Sequence, residues 1–172
     1  LDIVWTRDEP EYDEDFGMRA LLMDKAADFV FVFGGTNDYG HGDAPLGTFE
    51  NKDPYTFYGG LRSLVEYLIS VYGKDKLCFI TPLHRYREDD PKGDGGIKKK
   101  SVAPLEKYVE IIREVVSAYE IDLLDLYAEN FVPTPKTNTG DEFTVDGLHP
   151  NPVGHEKLAD RIISYLKTRS HV

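Results

Sequence analysis

Two short stretches of this 172-residue chain carry side chains whose types and spacing suit chemistry. The first is Gly34-Gly35-Thr36-Asn37-Asp38, directly after an apolar run. Its glycines let the backbone turn sharply and let a ligand come close. An asparagine just beyond them can aim its amide NH2 at a developing negative charge. The same residues also suit a plain strand-to-loop turn, where Asn and Asp are common. The second stretch is Asp146-Gly147-Leu148-His149-Pro150-Asn151. A carboxylate three residues before an imidazole, on a tight Gly-containing turn, can accept the Nδ1–H. That bond fixes the tautomer and leaves Nε2 as a general base. A loop aspartate beside a helix-flanking histidine gives the same pattern.

Other residues are weaker candidates. His84 and Arg85 follow an apolar run in Thr81-Pro82-Leu83-His84-Arg85 and suit a pocket lining, Arg85 facing a polar acyl or sugar group. The alternative is a loop histidine with a solvated arginine. His41 and Asp43 can border the same cleft or close a local turn. His155 reads as structural, in the first turn of the last helix. Lys98-Lys99-Lys100 reads as a solvated basic loop in an acidic protein. Cys78 reads as an inert core residue, and Trp5 as packing on a neighbouring surface.

These candidates need a frame. Three apolar runs read as strands: 28–33, 77–81 and 121–126. Their near-continuous β-branched and aromatic character suits strands covered on both faces, as in a parallel sheet. Helical patterns alternate with them. Asp53-Pro54 resembles an N-cap with Pro at the first helical position, followed by Phe57, Leu61, Leu64, Val65, Leu68 and Tyr72 on one face. Pro104 opens a second helix and Asn151-Pro152 a third, while 13–25 is a less regular helical stretch. The alternation implies a parallel α/β fold with right-handed crossovers, as a single domain. The run 28–33 is the most apolar and is expected at the centre of the sheet, with a neighbour on each side. The loops 38–52, 82–101 and 128–150 leave the carboxyl ends of strands, the edge at which open α/β sheets bind ligands.

Composition narrows the partners. There are 31 acidic and 20 basic residues, for a formal net charge of −11. Such a surface repels phosphate backbones and anionic lipid, so neither nucleic acid nor membrane is an expected partner. One cysteine excludes an internal disulfide framework and a cysteine-based zinc site. No cofactor is expected. No metal site is expected either, because His41, His84 and His149 are far apart in sequence. The free cysteine and the lack of a leader pattern suit the cytoplasm.

Taken together, the two blocks resemble the SGNH (GDSL-type) hydrolase family. The resemblance runs from about residue 27 to 166 and extends through Asn151, Gly154 and His155. It implies a flavodoxin-like three-layer α/β/α sandwich. It implies Asn37 as oxyanion-hole donor, Asp146 as the acid that orients histidine, and His149 as general base. The implied substrate is a small carboxylic ester; from their positions after strands, Gly35, His84 and Arg85 are expected to bind it. A rim rich in Asp, Arg, Lys, His and Tyr favours a small polar ester, such as an acetylated sugar, over a long-chain lipid; lipase and thioesterase activity remain alternatives.

The family's nucleophile lies in a Gly-Asp-Ser block after its first strand, and a further block supplies a glycine N–H to the oxyanion hole. Neither occurs here. The six serines are Ser63, Ser70, Ser101, Ser117, Ser164 and Ser170, none of them in that context. The expectation is that N-terminal strands are missing, roughly 40 to 60 residues, the length of a strand–helix–strand start. The chain's start at Leu1 and its few strands fit that expectation. The alternative is a non-catalytic, carbohydrate-binding relative. A phosphoryl-handling protein ranks last, because no Gly-x-Gly-x-x-Gly or Walker pattern occurs.

Overall fold

The computed structural model describes residues 2–4, 15–50 and 52–169. Trp5 and Ser170 lie outside the described residues. The elements run α1 (Phe16–Leu22), β1 (Val30–Phe33), α2 (Thr36–Gly40), α3 (Phe57–Tyr72), β2 (Leu77–Ile80), α4 (Leu105–Ala118), β3 (Asp122–Leu124) and α5 (Pro152–Arg169). Helices and strands alternate as expected, with one addition. The Gly-Gly-Thr-Asn-Asp stretch does not end as a turn; it continues into the five-residue helix α2.

The strands form a parallel sheet in the order β1-β2-β3. Val30 pairs with Leu77 and Phe33 with Ile80; Cys78 pairs with Asp122 and Ile80 with Leu124. The fold is a parallel α/β fold, as the alternation implied. Among the described residues β2 is the middle strand of the three. All four residues of β2 are buried, whereas Phe31 is half-buried and Phe33 is exposed. Two aromatics of the first run are spent on each other: Phe29 and Phe31 rings lie 5.0 Å apart. Among the described residues β1 has β2 as its one neighbour.

The chain divides into two compact units. The first comprises residues 1–82 and 87–129 and holds the sheet and the main core. Here α3 packs on α1 and α4, burying Leu61, Leu64, Val65 and Leu68 at helical spacing. Each such side chain contributes about 1.5–3 kcal/mol. The helix starts later than the Asp53-Pro54 reading. Thr56 is its N-cap and accepts from Gly59 N at 3.1 Å, while Asp53 accepts from Tyr55 N in the preceding turn. Cys78 is buried in β2. The second unit comprises 83–86 and 130–172. Its helix α5 is capped by Asn151, whose Oδ1 accepts from Gly154 N at 3.0 Å. No helix among the described residues is long and apolar enough to cross a membrane.

One buried carboxylate stands out in the first unit. Asp38, on α2, is 3% exposed. Its two oxygens accept from Ile3 N at 2.9 Å and Val4 N at 3.0 Å, tying chain segments 35 residues apart. Burial, reinforced by the nearby Asp2 charge, raises its pKa from the usual 3.8 to about 7, against the lowering effect of the two N–H bonds. The folded chain therefore holds a proton that the unfolded chain releases at lower pH. Stability falls as pH rises from the unfolded value to the folded one. Comparing thermal unfolding of the wild type and Asp38→Asn over roughly pH 4 to 7 checks this. The wild type should lose more stability across that range than the variant, and parallel pH slopes would contradict the burial argument.

Candidate active site

The Asp146–His149 turn lies in the second unit and is built from its own backbone. Thr144 and Pro150 form an antiparallel bridge, with Val145 N donating to His149 O at 2.9 Å. Asn151 N donates to Phe143 O at 2.8 Å, and the Asn151 side-chain amide donates to Asp141 O and Glu142 O, both at 3.0 Å. Gly147 lies at the apex with φ +78°, a conformation that L side chains rarely adopt. Its N–H donates to Thr144 Oγ1 at 3.0 Å, and its carbonyl accepts from Tyr86 N at 2.8 Å. The segment 83–86, which contains His84 and Arg85, is thereby docked on the turn.

The turn brings the two predicted residues together. Asp146 Oδ2 lies 2.7 Å from His149 Nδ1. Asp146 Oδ1 accepts from His149 N at 2.8 Å and from Leu148 N at 3.0 Å. Partial burial raises the Asp146 pKa, but the His149 backbone and ring bonds and the Leu148 N–H outweigh it, so the carboxyl titrates below its usual value. It is an anion at neutral pH. With Nδ1 committed to that anion, the ring presents Nε2, and the His149 side chain is 69% exposed. A carboxylate-oriented imidazole open to solvent can take and return a proton.

Gly35 and Asn37 belong to the first unit. Gly35 is the N-cap of α2, with φ +99°, and is buried. A side chain there would crowd Ile112 Cδ1 at 3.1 Å and be strained besides. Asn37 is half-buried in the first turn of α2, and its carbonyl accepts from His41 N at 3.0 Å and Gly42 N at 3.2 Å. Among the described residues its side-chain amide takes no hydrogen-bond partner. His84 is half-buried, but Arg85 is 3% exposed and so is not the solvated arginine of the alternative reading. His41 Nε2 lies 3.7 Å from Asp2 Oδ1. His155 is exposed on the first turn of α5.

Lys98 corrects the reading of the lysine run. It is 3% exposed, while Lys99 and Lys100 are exposed. Burial lowers its pKa, opposed by Asp43, Asp38, Asp94 and Asp2. With Arg85 and Lys98 both buried, the polar rim rests on fewer groups than their charges suggested.

No described serine ends a strand. Ser63 and Ser70 donate to helix carbonyls of Gly59 (2.8 Å) and Tyr67 (2.7 Å). Ser117 and Ser164 lie on α4 and α5, and Ser101 precedes α4. Among the described residues no group of His, Cys, Asp and Glu is arranged to hold a metal ion.

The family model for the GDSL-like lipase/acylhydrolase family matches residues 5–157. The chain belongs to this family. Membership supports a hydrolase of ester substrates. Solved structures agree in fold. A protein from Lactobacillus plantarum is 27% identical, with 97% of this chain and 76% of that chain covered at a TM-score of 0.77. A lipase/acylhydrolase from Enterococcus faecalis is 25% identical, with 92% and 68% covered and a TM-score of 0.52. A possible lipase from Chitinophaga pinensis is 20% identical, with 84% and 74% covered and a TM-score of 0.66; at that identity the likeness shows the fold alone. No curated protein matches the chain.

Gly147→Ala tests how far the turn depends on its apex. A Cβ there would meet Thr137 O at 2.4 Å in addition to the positive φ. The substitution should destabilise the protein by about 1–3 kcal/mol in urea unfolding. A change below about 0.5 kcal/mol would show that the turn relaxes freely.

Proposed function

We propose that the protein is a serine esterase of small carboxylic esters in which His149 is the general base, Asp146 orients it and Asn37 donates to the oxyanion. The observation that carries this reading is the 2.7 Å contact between Asp146 Oδ2 and His149 Nδ1, on a turn that also ties the carboxylate to two backbone N–H groups. In this proposal the attacking hydroxyl comes from a serine other than the six in these 172 residues. The helical placement of Ser63, Ser70, Ser117 and Ser164 supports that part of the proposal.

In this mechanism the serine Oγ attacks the ester carbonyl carbon and its proton passes to His149 Nε2. The new imidazolium is stabilised by Asp146 through Nδ1–H. The carbonyl oxygen becomes an oxyanion and accepts from the Asn37 amide, a donor of a kind worth about 2.7–4 kcal/mol of barrier. Collapse breaks the bond to the leaving alkoxide, which takes the proton from Nε2. Water then attacks the acyl-serine, again giving its proton to His149. Collapse breaks the bond to the serine Oγ, which takes the proton back from Nε2, and the carboxylic acid leaves. Gly35, His84 and Arg85 are proposed to bind substrate, Arg85 as a buried charge beneath the surface. A small polar ester, such as an acetylated carbohydrate, is the proposed substrate class.

The test is hydrolysis of p-nitrophenyl esters by the full-length gene product. His149→Ala should lower kcat by about a thousandfold or more, as loss of such a base does elsewhere. Full turnover by the variant would reject the assignment. Activity should also fall as the acyl chain lengthens from acetyl, and a preference for chains of about eight carbons or more would reverse the substrate proposal.

A further inference from the structure

The sequence gives no reason to bury Lys98, and the structure puts it to a specific use. Its Nζ donates to the Asp38 carbonyl and to the Tyr108 hydroxyl, both at 3.0 Å. The ammonium also lies over the rings of Tyr108, at 5.1 Å, and Tyr39, at 5.6 Å. Taking an ammonium out of water is costly, and the cost must be offset locally. In a continuing helix the Asp38 carbonyl would accept from residue 42. Here both His41 N and Gly42 N donate to the Asn37 carbonyl instead. The Asp38 carbonyl is thus released at the end of α2, and Lys98 takes it.

The same short helix is held on its other sides. The Asp38 carboxylate grips Ile3 N and Val4 N. The Tyr39 hydroxyl donates to Arg87 O at 2.6 Å and reaches Asp90 O at 3.1 Å, drawing the loop that carries Lys98 onto α2. Every one of these contacts fixes the backbone within two residues of Asn37. A five-residue helix has one turn of internal hydrogen bonds and little stiffness of its own.

We propose that Lys98, through the Asp38 carbonyl, is a positioning residue that sets the aim of the Asn37 amide at the oxyanion. The inference rests on the oxyanion role of Asn37 proposed above. Lys98 does not touch substrate; it removes freedom from the backbone that carries the donor, so its effect is expressed in the chemical step rather than in ground-state binding.

The experiment is a double-mutant cycle on the full-length gene product with p-nitrophenyl acetate. Lys98→Met keeps the apolar stem and removes the donor. It should lower kcat about tenfold with KM changed less than about twofold, and in the Asn37→Ala background it should cost less than about twofold more. Tyr108→Phe, which keeps the ring and removes one of the two acceptors, covers the case in which Lys98→Met does not fold. It should lower kcat by about threefold, and that loss too should vanish in the Asn37→Ala background. An unchanged kcat in the folded variant, or an undiminished loss on top of Asn37→Ala, would overturn the inference. Asn37→Ala with wild-type kcat, or a wild-type protein inactive on every ester, would overturn the functional reading as well, and is told apart because it shows before Lys98 is changed.

Discussion

One carboxylate held by three donors anchors the candidate site. Asp146 receives the Leu148 and His149 N–H groups on one oxygen and the His149 ring on the other. The geometry is local, since acid and base are three residues apart, yet the fold must supply the turn that makes it available. The Thr144–Pro150 bridge, the Asn151 bonds to Asp141 and Glu142, and the Tyr86 bond to the apex carbonyl together close that turn. A pair this exposed would gain little from charge attraction alone, because water screens it. The backbone and ring hydrogen bonds together lower the carboxyl pKa, and the two backbone donors on one oxygen leave the other for the imidazole.

The first unit meets the opposite problem. Among the described residues the Asn37 side chain takes no hydrogen bond, and the helix beneath it is held from outside. The chain does this with groups that are expensive to bury: a carboxylate whose pKa rises to about 7 and an ammonium whose pKa falls. Neither is an efficient way to stabilise a fold, since apolar residues of similar volume often do as well or better. One belongs to this short helix and the other bonds its backbone, a placement better understood as control of backbone geometry than as a source of stability.

Much of the frame was legible because its signals are periodic. The apolar faces of α3 and α4 repeat at helical spacing, and the strands read as short apolar runs. Family resemblance was legible because Asn37, Asp146 and His149 lie in short fixed-spacing blocks. What was not legible depends on distant contacts. The run 28–33 is the most aromatic, yet strand order is decided by distant pairing, and among the described residues β2 is the strand with a partner on each side. α2 was missed because five residues are too few for a helical period, and Gly-Gly followed by Asn-Asp is strong turn chemistry. Lys98 was misread because nothing local separates it from Lys99 and Lys100. Its burial is set by a carbonyl 60 residues away.

The most direct measurement is a crystal structure of the full-length protein after reaction with a small alkyl phosphonate ester, whose tetrahedral phosphorus mimics the attacked carbonyl. The expected result is a serine-bound phosphonate with its free oxygen about 3 Å from the Asn37 amide nitrogen, and His149 Nε2 within hydrogen-bond reach of the serine oxygen. A phosphonate oxygen bound by other donors, or an amide and an imidazole too far apart to touch one small adduct, would contradict it.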